Sequence, residues 1–150
     1  EAILDRLLGT PSQPVTLVTD SKLTYDADDM KVTLDEHRVL GVGKTLQPNQ
    51  SHGESIGMML FRENGPDLFV SAVEGALRKP QALKRWYLSV IDEMAQSGLV
   101  RACPIQGLRW AEVDYPVDLE DAKKLVTSWG APSSLKAPSA RQFSEPIPSH

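Results

Sequence analysis

The feature that most constrains the fold of this chain is a continuous run of apolar and β-branched residues near its start. The run Val15-Thr16-Leu17-Val18-Thr19 has the length of a strand and ends at Asp20-Ser21. A strand without polar alternation is typical of a sheet that is covered on both faces. We therefore predict that residues 15–19 form a buried strand near the centre of a sheet.

A β-hairpin is predicted over residues 30–43. Residues 30–34 alternate apolar and polar side chains, residues 35–38 form a polar turn, and residues 39–43 resume extended structure. Residues 55–61 predict a further strand, and Gly57 inside it suggests close approach by a neighbouring backbone or a ligand.

Helical periodicity and short apolar runs account for most of the remaining chain, and Asp118 is placed to cap the last helix. The 150 residues, 41% of them hydrophobic, suffice for one buried core, so we expect one domain. The additional predicted elements are helices at 2–8, 67–77, 85–97 and 119–129, and strands at 99–103 and 110–114.

Composition excludes several classes of partner and site. The net charge of −4 is spread along the chain, so a polymeric nucleic acid and an anionic membrane surface are not expected partners. Cys103 is the only cysteine, which excludes an internal disulfide and a Cys-based zinc site and favours a cytoplasmic setting. No run approaches the roughly 18 apolar residues of a transmembrane segment. Residues 130–150, rich in Pro, Ser, Ala and Lys, are predicted to be a disordered tail or a linker.

Two carboxylates near the end of the chain are candidates for a metal site. Glu112 and Asp114 are spaced i, i+2 on a predicted strand and point to the same side, just before a turn. Hard oxygen ligands of this kind suit Mg²⁺, which needs only one or two carboxylates when substrate phosphates complete its coordination. The alternative on spacing alone is that Glu112 is solvated, Asp114 caps a turn and Asp118 caps a helix.

Lysines at strand ends and a glutamate between glycines are candidates for substrate binding. Lys31 and Lys44 lie on or at the end of hairpin strands with apolar neighbours, where an ammonium can meet a phosphate, although surface lysines are common. Glu54, before Gly57, is placed to accept hydrogen bonds from substrate hydroxyls or to pair with a cationic group; a solvated turn residue is the alternative.

The histidines and large aromatic residues give weaker indications. His37 and His52 lie in polar loops without a second ligand at metal-site spacing, so neither a zinc nor a catalytic role is expected. Trp86-Tyr87 and Trp110 are assigned to the core by default, with an aromatic wall of a binding site as the alternative.

Taken in order, five segments resemble the second half of the sugar-nucleotidyltransferase-like superfamily. Within it, the closest likeness is to the branch of choline-phosphate, inositol-phosphate and phosphonate cytidylyltransferases, and it covers residues 1–129. The resemblance implies a three-layer α/β fold of the nucleotide-diphospho-sugar transferase type, with a mixed, mostly parallel sheet and a β-hairpin. The segments are the strand ending in Asp20, Tyr25-Asp-Ala-Asp-Asp-Met-Lys-Val32, Gly43-Lys44, Gly53-Glu-Ser-Ile-Gly57 and Trp110-Ala-Glu-Val-Asp114.

The resemblance also implies roles for individual residues. Asp114 matches the second metal-binding aspartate of the family, which holds Mg²⁺ between the nucleotide and the acceptor phosphate. Lys44 matches the lysine that meets the acceptor phosphate, and Lys31 matches a lysine facing the same cleft, with Asp29 in place of the usual alanine. Glu54 matches the acceptor-pocket segment.

The acceptor-pocket segment also includes Gly57, and Glu112 is assigned to substrate binding. The implied reaction transfers a nucleoside monophosphate, from CTP by preference, to a phosphorylated alcohol, sugar or phosphonate. The family's Gly-rich triphosphate loop and first metal-binding aspartate are not found in residues 1–150. The chain is therefore expected to be the acceptor-binding, C-terminal part of such an enzyme and inactive by itself, with a homo-oligomer or an upstream domain left open.

Two alternatives to an enzymatic acceptor domain are considered. One is a non-catalytic interaction or nucleotide-sugar-binding domain derived from the same fold. The other is a glycosyltransferase of the related fold, for which Asp26-Ala27-Asp28 has the spelling of an Asp-x-Asp metal motif but lacks a preceding apolar strand.

Overall fold

The computed structural model describes residues 2–129, apart from the side chains of Leu83 and Ser128, and divides them into two compact units. The first unit extends to Trp110 and the second begins at Ala111. The predicted tail at residues 130–150 lies outside the described residues. No helix among the described residues has the length and apolar character needed to cross a membrane.

A five-stranded sheet forms the centre of the first unit, in the order β1–β4–β2–β3–β5, and a short β3–β5 bridge closes the order on itself. The buried strand, the hairpin and the strand with the internal glycine are all present, which confirms those predictions. The strands are β1 (Val15–Asp20), β2 (Lys31–Asp35), β3 (Arg38–Gly43), β4 (Gly53–Phe61) and β5 (Val100–Pro104).

The sheet is mixed, and its mostly parallel character is not confirmed. Among the described residues only β1 and β5 run parallel, and the other pairings are antiparallel. The reason is local connectivity, because the tight hairpin of β2 and β3 enforces an antiparallel pair and β4 returns alongside both β2 and β1. The fold is therefore of the α/β class, but its sheet lacks the predicted majority of parallel strands.

Helices cover the sheet of the first unit on both faces of β1. On one side α3 packs against β3 and α2, and Ile91 is buried in a core cluster that also contains Val15 and Leu17 of β1. On the other side Leu7 of α1 packs with Val18. Burying a side chain of this size contributes about 1.5–3 kcal/mol, so alternate residues of β1 stabilise both layers. The helices of this unit are α1 (Ala2–Leu8), α2 (Gly65–Leu77) and α3 (Leu88–Gln96).

The second unit, in its described part, consists of an irregular segment followed by α4 (Pro116–Ser128). The strand predicted at residues 110–114 is wrong, because residues 111–115 are exposed and pair with no strand among the described residues. The predicted cap is correct in kind: the Asp118 carboxylate accepts the backbone N–H of Tyr115 at 2.8 Å, from the first turn of α4.

Candidate functional site

The register of the sheet brings three of the six predicted site residues, Lys31, Lys44 and Glu54, to one end of four strands. Asp20 at the end of β1 lies opposite Glu54 of β4, and Glu54 lies opposite Lys31 at the start of β2. Lys31 in turn lies opposite Gly43, the last residue of β3, so Lys44 follows at the same edge. We call Asp20, Glu54, Lys31 and Gly43 the polar row. Residues 21–30, which connect β1 to β2, begin and end at this row.

Lys31 is buried and its ammonium group is used within the protein. Its side chain is among the fully buried ones, and Nζ donates to the carbonyl oxygens of Asp26 at 2.8 Å and Asp29 at 3.2 Å. A buried ammonium is tolerated only when acceptors replace its water. In this structure Lys31 therefore holds the connection of residues 21–30 in place, instead of facing an open cleft as predicted.

A second lysine joins two carboxylates beside the polar row. Lys22 Nζ lies 2.8 Å from Asp29 Oδ1 and 3.0 Å from Glu54 Oε2. The carboxylate side chains are only 14% and 13% exposed, whereas the Lys22 side chain is 37% exposed. Asp29 also accepts the backbone N–H of Asp26 at 2.6 Å. We call Lys22, Asp29 and Glu54 the acid–lysine cluster.

The acid–lysine cluster shifts the titration of its three members. Burial raises the pKa of Glu54, and the neighbouring Asp29 carboxylate adds to this effect while Lys22 opposes it. Burial also acts to raise the pKa of Asp29, but hydrogen bonds from Lys22 and from the Asp26 N–H outweigh it and lower that pKa below 3.8. Burial lowers the pKa of Lys22, yet its two carboxylate partners prevail and raise it above 10.5. Glu54 is thus the member whose charge is least favoured.

Lys44 lines a cavity of about 390 Å³. Its Nζ is 4.8 Å from the centre of the Trp86 ring and 3.7 Å from Asp28 Oδ1. Lys84, Arg85 and Asp92 also line this cavity, and the Arg85 guanidinium is paired with Glu93 at 2.6 Å. A concave site with clustered cations suits a small anionic ligand. The apolar part of its wall includes Met30, Val42 and Leu88.

The aromatic residues depart in part from their predicted place in the core. Trp86 is 65% exposed and Tyr87 is 48% exposed, so the default assignment is wrong for both. They come just before α3, outside its apolar stripe, which explains why helical periodicity misplaced them. Trp110 does pack on a core cluster, and its Nε1–H donates to Asp20 Oδ2 at 2.7 Å.

A larger and more open cavity of about 580 Å³ is lined by residues 21–25 of the β1–β2 connection and by Pro48, Asn49, Ser51 and His52. His52 is among the lining residues, and its Nδ1 accepts the backbone N–H of Leu34 at 3.1 Å. That hydrogen bond fixes the ring on β2. Residues 2–129 contain no group of three His, Cys, Asp or Glu side chains arranged to hold a metal ion.

Gly57 is set apart from the polar row by a bulge in β4. The pairing with β1 shifts between Leu17 and Thr19, and Gly57 adopts a φ of +77° at that irregularity. A Cβ built on it meets no atom within 4 Å among the described residues. The glycine is therefore required by its backbone conformation, and no close approach of a neighbouring backbone explains it.

The two remaining predicted residues, Glu112 and Asp114, belong to the second unit. Both are exposed, and the backbone N–H of Asp114 donates to the Asp118 carboxylate at 3.1 Å. The Asp118 carboxylate is thus used to cap α4. Asp114 presents a solvent-accessible carboxylate, which fits a site where Mg²⁺ is held by one or two carboxylates and by substrate phosphates.

Sequence reasoning missed Lys22 as a member of the candidate site, and it considered Asp28 and Trp86 only in two alternatives, an Asp-x-Asp motif and an aromatic wall. Lys22 comes two residues after β1, and Asp28 lies in the connection that returns the chain to β2. The acidic run before Lys31 could have indicated Lys22, because an acidic connection between two strand ends needs cations nearby. Trp86 gave no such signal, because its contact with Lys44 depends on tertiary packing.

Comparison with known proteins identifies the fold. No family model and no curated protein matches the sequence. Among solved structures, the inositol-1-phosphate CTP transferase from T. maritima is similar with a TM-score of 0.61 and 17% identity, over 84% of this chain and 49% of that chain. CMP:2-keto-3-deoxy-manno-octonic acid synthetase complexed with CTP is similar with a TM-score of 0.57 and 15% identity, over 86% of this chain and 55% of that one.

At these identities the similarity establishes the fold alone. The chain spans about half the length of both similar structures. The predicted resemblance to nucleotidyltransferases is therefore confirmed at the level of the fold, and this chain has an α/β fold shared with CTP-using cytidylyltransferases.

Proposed function

We propose that this chain is the acceptor-binding part of a cytidylyltransferase, which transfers CMP from CTP to a phosphorylated small alcohol, sugar or phosphonate. The observation that carries the proposal is the fold similarity to two CTP-using enzymes over 84% and 86% of the chain. The three-layer architecture implied by the family is part of the same proposal.

The first unit supplies cationic and anionic groups suited to such an acceptor. Lys44, together with Lys84, neutralises the acceptor phosphate in the 390 Å³ cavity. Glu54 contacts the part of the acceptor that distinguishes one alcohol from another. Its place at the end of the sheet beside the more exposed Lys22 favours this role, because a carboxylate there can accept hydrogen bonds from substrate hydroxyls.

In the same proposal, as the family resemblance implies, Asp114 is the ligand of a magnesium ion and Glu112 contributes to substrate binding. Mg²⁺, when bound, would neutralise charge on the phosphates of nucleotide and acceptor. One exposed carboxylate is compatible with such an ion because Mg²⁺ retains several waters and takes substrate oxygens as ligands.

Catalysis in this proposal depends on positioning and charge neutralisation. An ionised phosphate or phosphonate oxygen of the acceptor attacks the α-phosphorus of CTP in line, and pyrophosphate leaves with the electron pair of the broken P–O bond. The nucleophile is already deprotonated, so no general base is needed. Lys44 holds the acceptor oxygen in position and lowers its repulsion from the triphosphate.

The test is an assay of the full-length protein with Mg²⁺, each of the four nucleoside triphosphates and a panel of phosphorylated alcohols, sugars and phosphonates. Release of pyrophosphate that requires both CTP and one acceptor is expected. The absence of release with every pair would contradict the proposal and favour a non-catalytic interaction domain.

Asp114→Asn is the matching variant. It should remove most activity while circular dichroism and the unfolding midpoint stay unchanged, because the residue is exposed. Asp121→Asn is the control, since Asp121 is also exposed on the second unit and pairs only with Lys124 at 2.8 Å in the described contacts. Near-normal turnover in Asp114→Asn would assign Asp114 a structural role.

A further inference from the structure

The start of β4, where Glu54 lies, is joined to the neighbouring strands by short ladders. In the described part of the chain, Glu54 and Ser55 pair with β1 on one side before the register shifts at the bulge. On the other side, Gly53 and Glu54 pair with Val32 and Lys31 of β2. Backbone pairings that are short and close to solvent open easily. The position of Glu54 therefore depends on any further contact that joins this end of β4 to the sheet.

The imidazole ring of His52 supplies such a contact. Its Nδ1 accepts the backbone N–H of Leu34 on β2 at 3.1 Å, while the backbone N–H of His52 donates to the carbonyl oxygen of Val32 at 2.9 Å. Further along the same edge, the backbone N–H of Ser55 donates to the carbonyl oxygen of Met30 at 2.8 Å. The ring thus takes the place of a backbone carbonyl just before β4 begins, and it lengthens the ladder between β2 and β4.

This contact fixes the chemical state of the ring. A neutral imidazole has one N–H donor and one acceptor nitrogen, and a protonated ring has no acceptor. Because Nδ1 of His52 accepts the Leu34 N–H, the ring is neutral and its proton lies on Nε2. The side chain is exposed, so it makes this contact without filling space in the core.

We infer that His52 is a positioning residue for Glu54. The inference rests on the proposed function, in which Glu54 contacts the part of the acceptor that distinguishes one alcohol from another. Glu54 follows His52 by two residues, or about 7 Å along a strand, so a contact at the ring is close enough to hold it. With the ring bound to β2, the Glu54 carboxylate keeps its place 3.0 Å from Lys22 Nζ.

Three variants of His52 test the contact, because side-chain amides of different length copy different nitrogens of the ring. The asparagine oxygen is attached to Cγ, as Nδ1 is, whereas the glutamine oxygen lies one bond further out. His52→Asn should therefore keep the hydrogen bond to Leu34, and His52→Gln and His52→Ala should lose it. We expect the Leu34 amide to exchange about 5- to 10-fold faster in the last two variants only. His37→Ala changes another exposed histidine and is the control without effect.

The consequence for Glu54 is measured by carboxyl-carbon NMR titration of this chain, without any substrate. Burial raises the pKa of Glu54 above 4.5. Release of the side chain to water should return this pKa toward its ordinary value in His52→Gln and His52→Ala, whereas His52→Asn should keep it raised. Unchanged Leu34 exchange or an unchanged Glu54 titration in either of the first two variants would overturn the inference.

Steady-state kinetics of the full-length protein connect this role to the acceptor. His52→Gln and His52→Ala should raise the acceptor KM about 3- to 10-fold, with kcat and the CTP KM changed less than about twofold, and His52→Asn should restore the acceptor KM. A lower kcat at an unchanged acceptor KM would overturn the inference. NMR effects without any pyrophosphate release would reject the proposed function alone. Pyrophosphate release with an unchanged Glu54 titration would reject the positioning role alone.

Discussion

The two ends of β4 both carry charged residues, but the partners of those residues differ in kind. After the strand ends, the Arg62 guanidinium donates to the backbone carbonyls of Leu8 and Thr10, each at 2.6 Å, and so holds the end of α1. At the start of the strand, Glu54 meets the side chain of Lys22, which is more exposed than Glu54 itself. Charges satisfied by fixed backbone groups stabilise the fold, whereas mobile side-chain partners can be exchanged for a ligand.

The largest effect on stability is expected beyond the C-terminal end of β4, where α2 follows the strand. A Cβ on Gly65 would lie 1.9 Å from the carbonyl oxygen of Pro14, so the backbone must shift. Gly65→Ala should lower the free energy of unfolding by about 3 kcal/mol, measured by urea denaturation. Gly75→Ala is the control in the same helix: its added Cβ meets no described atom within 4 Å and should raise stability by up to about 1 kcal/mol. Similar destabilisation by both variants would contradict the role of Gly65.

A smaller loss is expected from Arg62→Met. The change removes charge-assisted hydrogen bonds to two carbonyls at the end of α1 and should lower the free energy of unfolding by about 2 kcal/mol. Arg78→Met is the matched control, because Arg78 is 81% exposed and only approaches Glu74, at 3.9 Å. The control should change stability by less than about 0.5 kcal/mol. An equally small effect of Arg62→Met would mean that these hydrogen bonds do not hold α1.

At the N-terminal end of β4, beside the candidate site, the expected effect is on the titration of Asp29 and Glu54. Lys22→Gln removes the cation between two carboxylates, so the pKa of Asp29 should rise and that of Glu54 should rise further. Ionised Asp29 stabilises the wild type above pH 3.8, and this contribution is lost as the pH falls through its lowered folded-state pKa. In Lys22→Gln the loss should begin at a higher pH.

Carboxyl-carbon NMR titration measures both pKa values directly. Lys22→Arg keeps the charge and should leave the pKa of Asp29 below its ordinary value. If Lys22→Gln left both carboxyl titrations unchanged, the acid–lysine cluster would not be formed in solution.

Most of the fold was predictable from the sequence because its signals are local. The apolar run of β1, the alternation of the hairpin and the helix patterns each depend on neighbouring residues. The prediction of a strand at residues 110–114 was wrong, because a local alternating pattern does not show whether a partner strand is present. Among the described residues no strand pairs with this segment. Parallel and antiparallel pairing also escaped prediction, since it depends on which distant strands meet.

The candidate site was predictable in its residue types but not in its connections. Lys44 and Glu54 were found because charged residues at strand ends are informative. The polar row, however, exists only through the register of four strands, and a shift of one residue would move every side chain to the other face. The burial of Lys31 likewise follows from the path of residues 21–30, which no local pattern encodes.

The central claim is that the end of the sheet beside Lys44 binds a phosphorylated acceptor, and steady-state kinetics of Lys44→Met in the full-length protein test it most directly. Loss of a charge-assisted contact to phosphate predicts an acceptor KM raised about 10- to 100-fold, with the CTP KM changed less than about twofold. Lys79→Met, an exposed lysine outside that cavity, is the control and should leave both constants unchanged. An acceptor KM equal to that of the wild type would contradict the account.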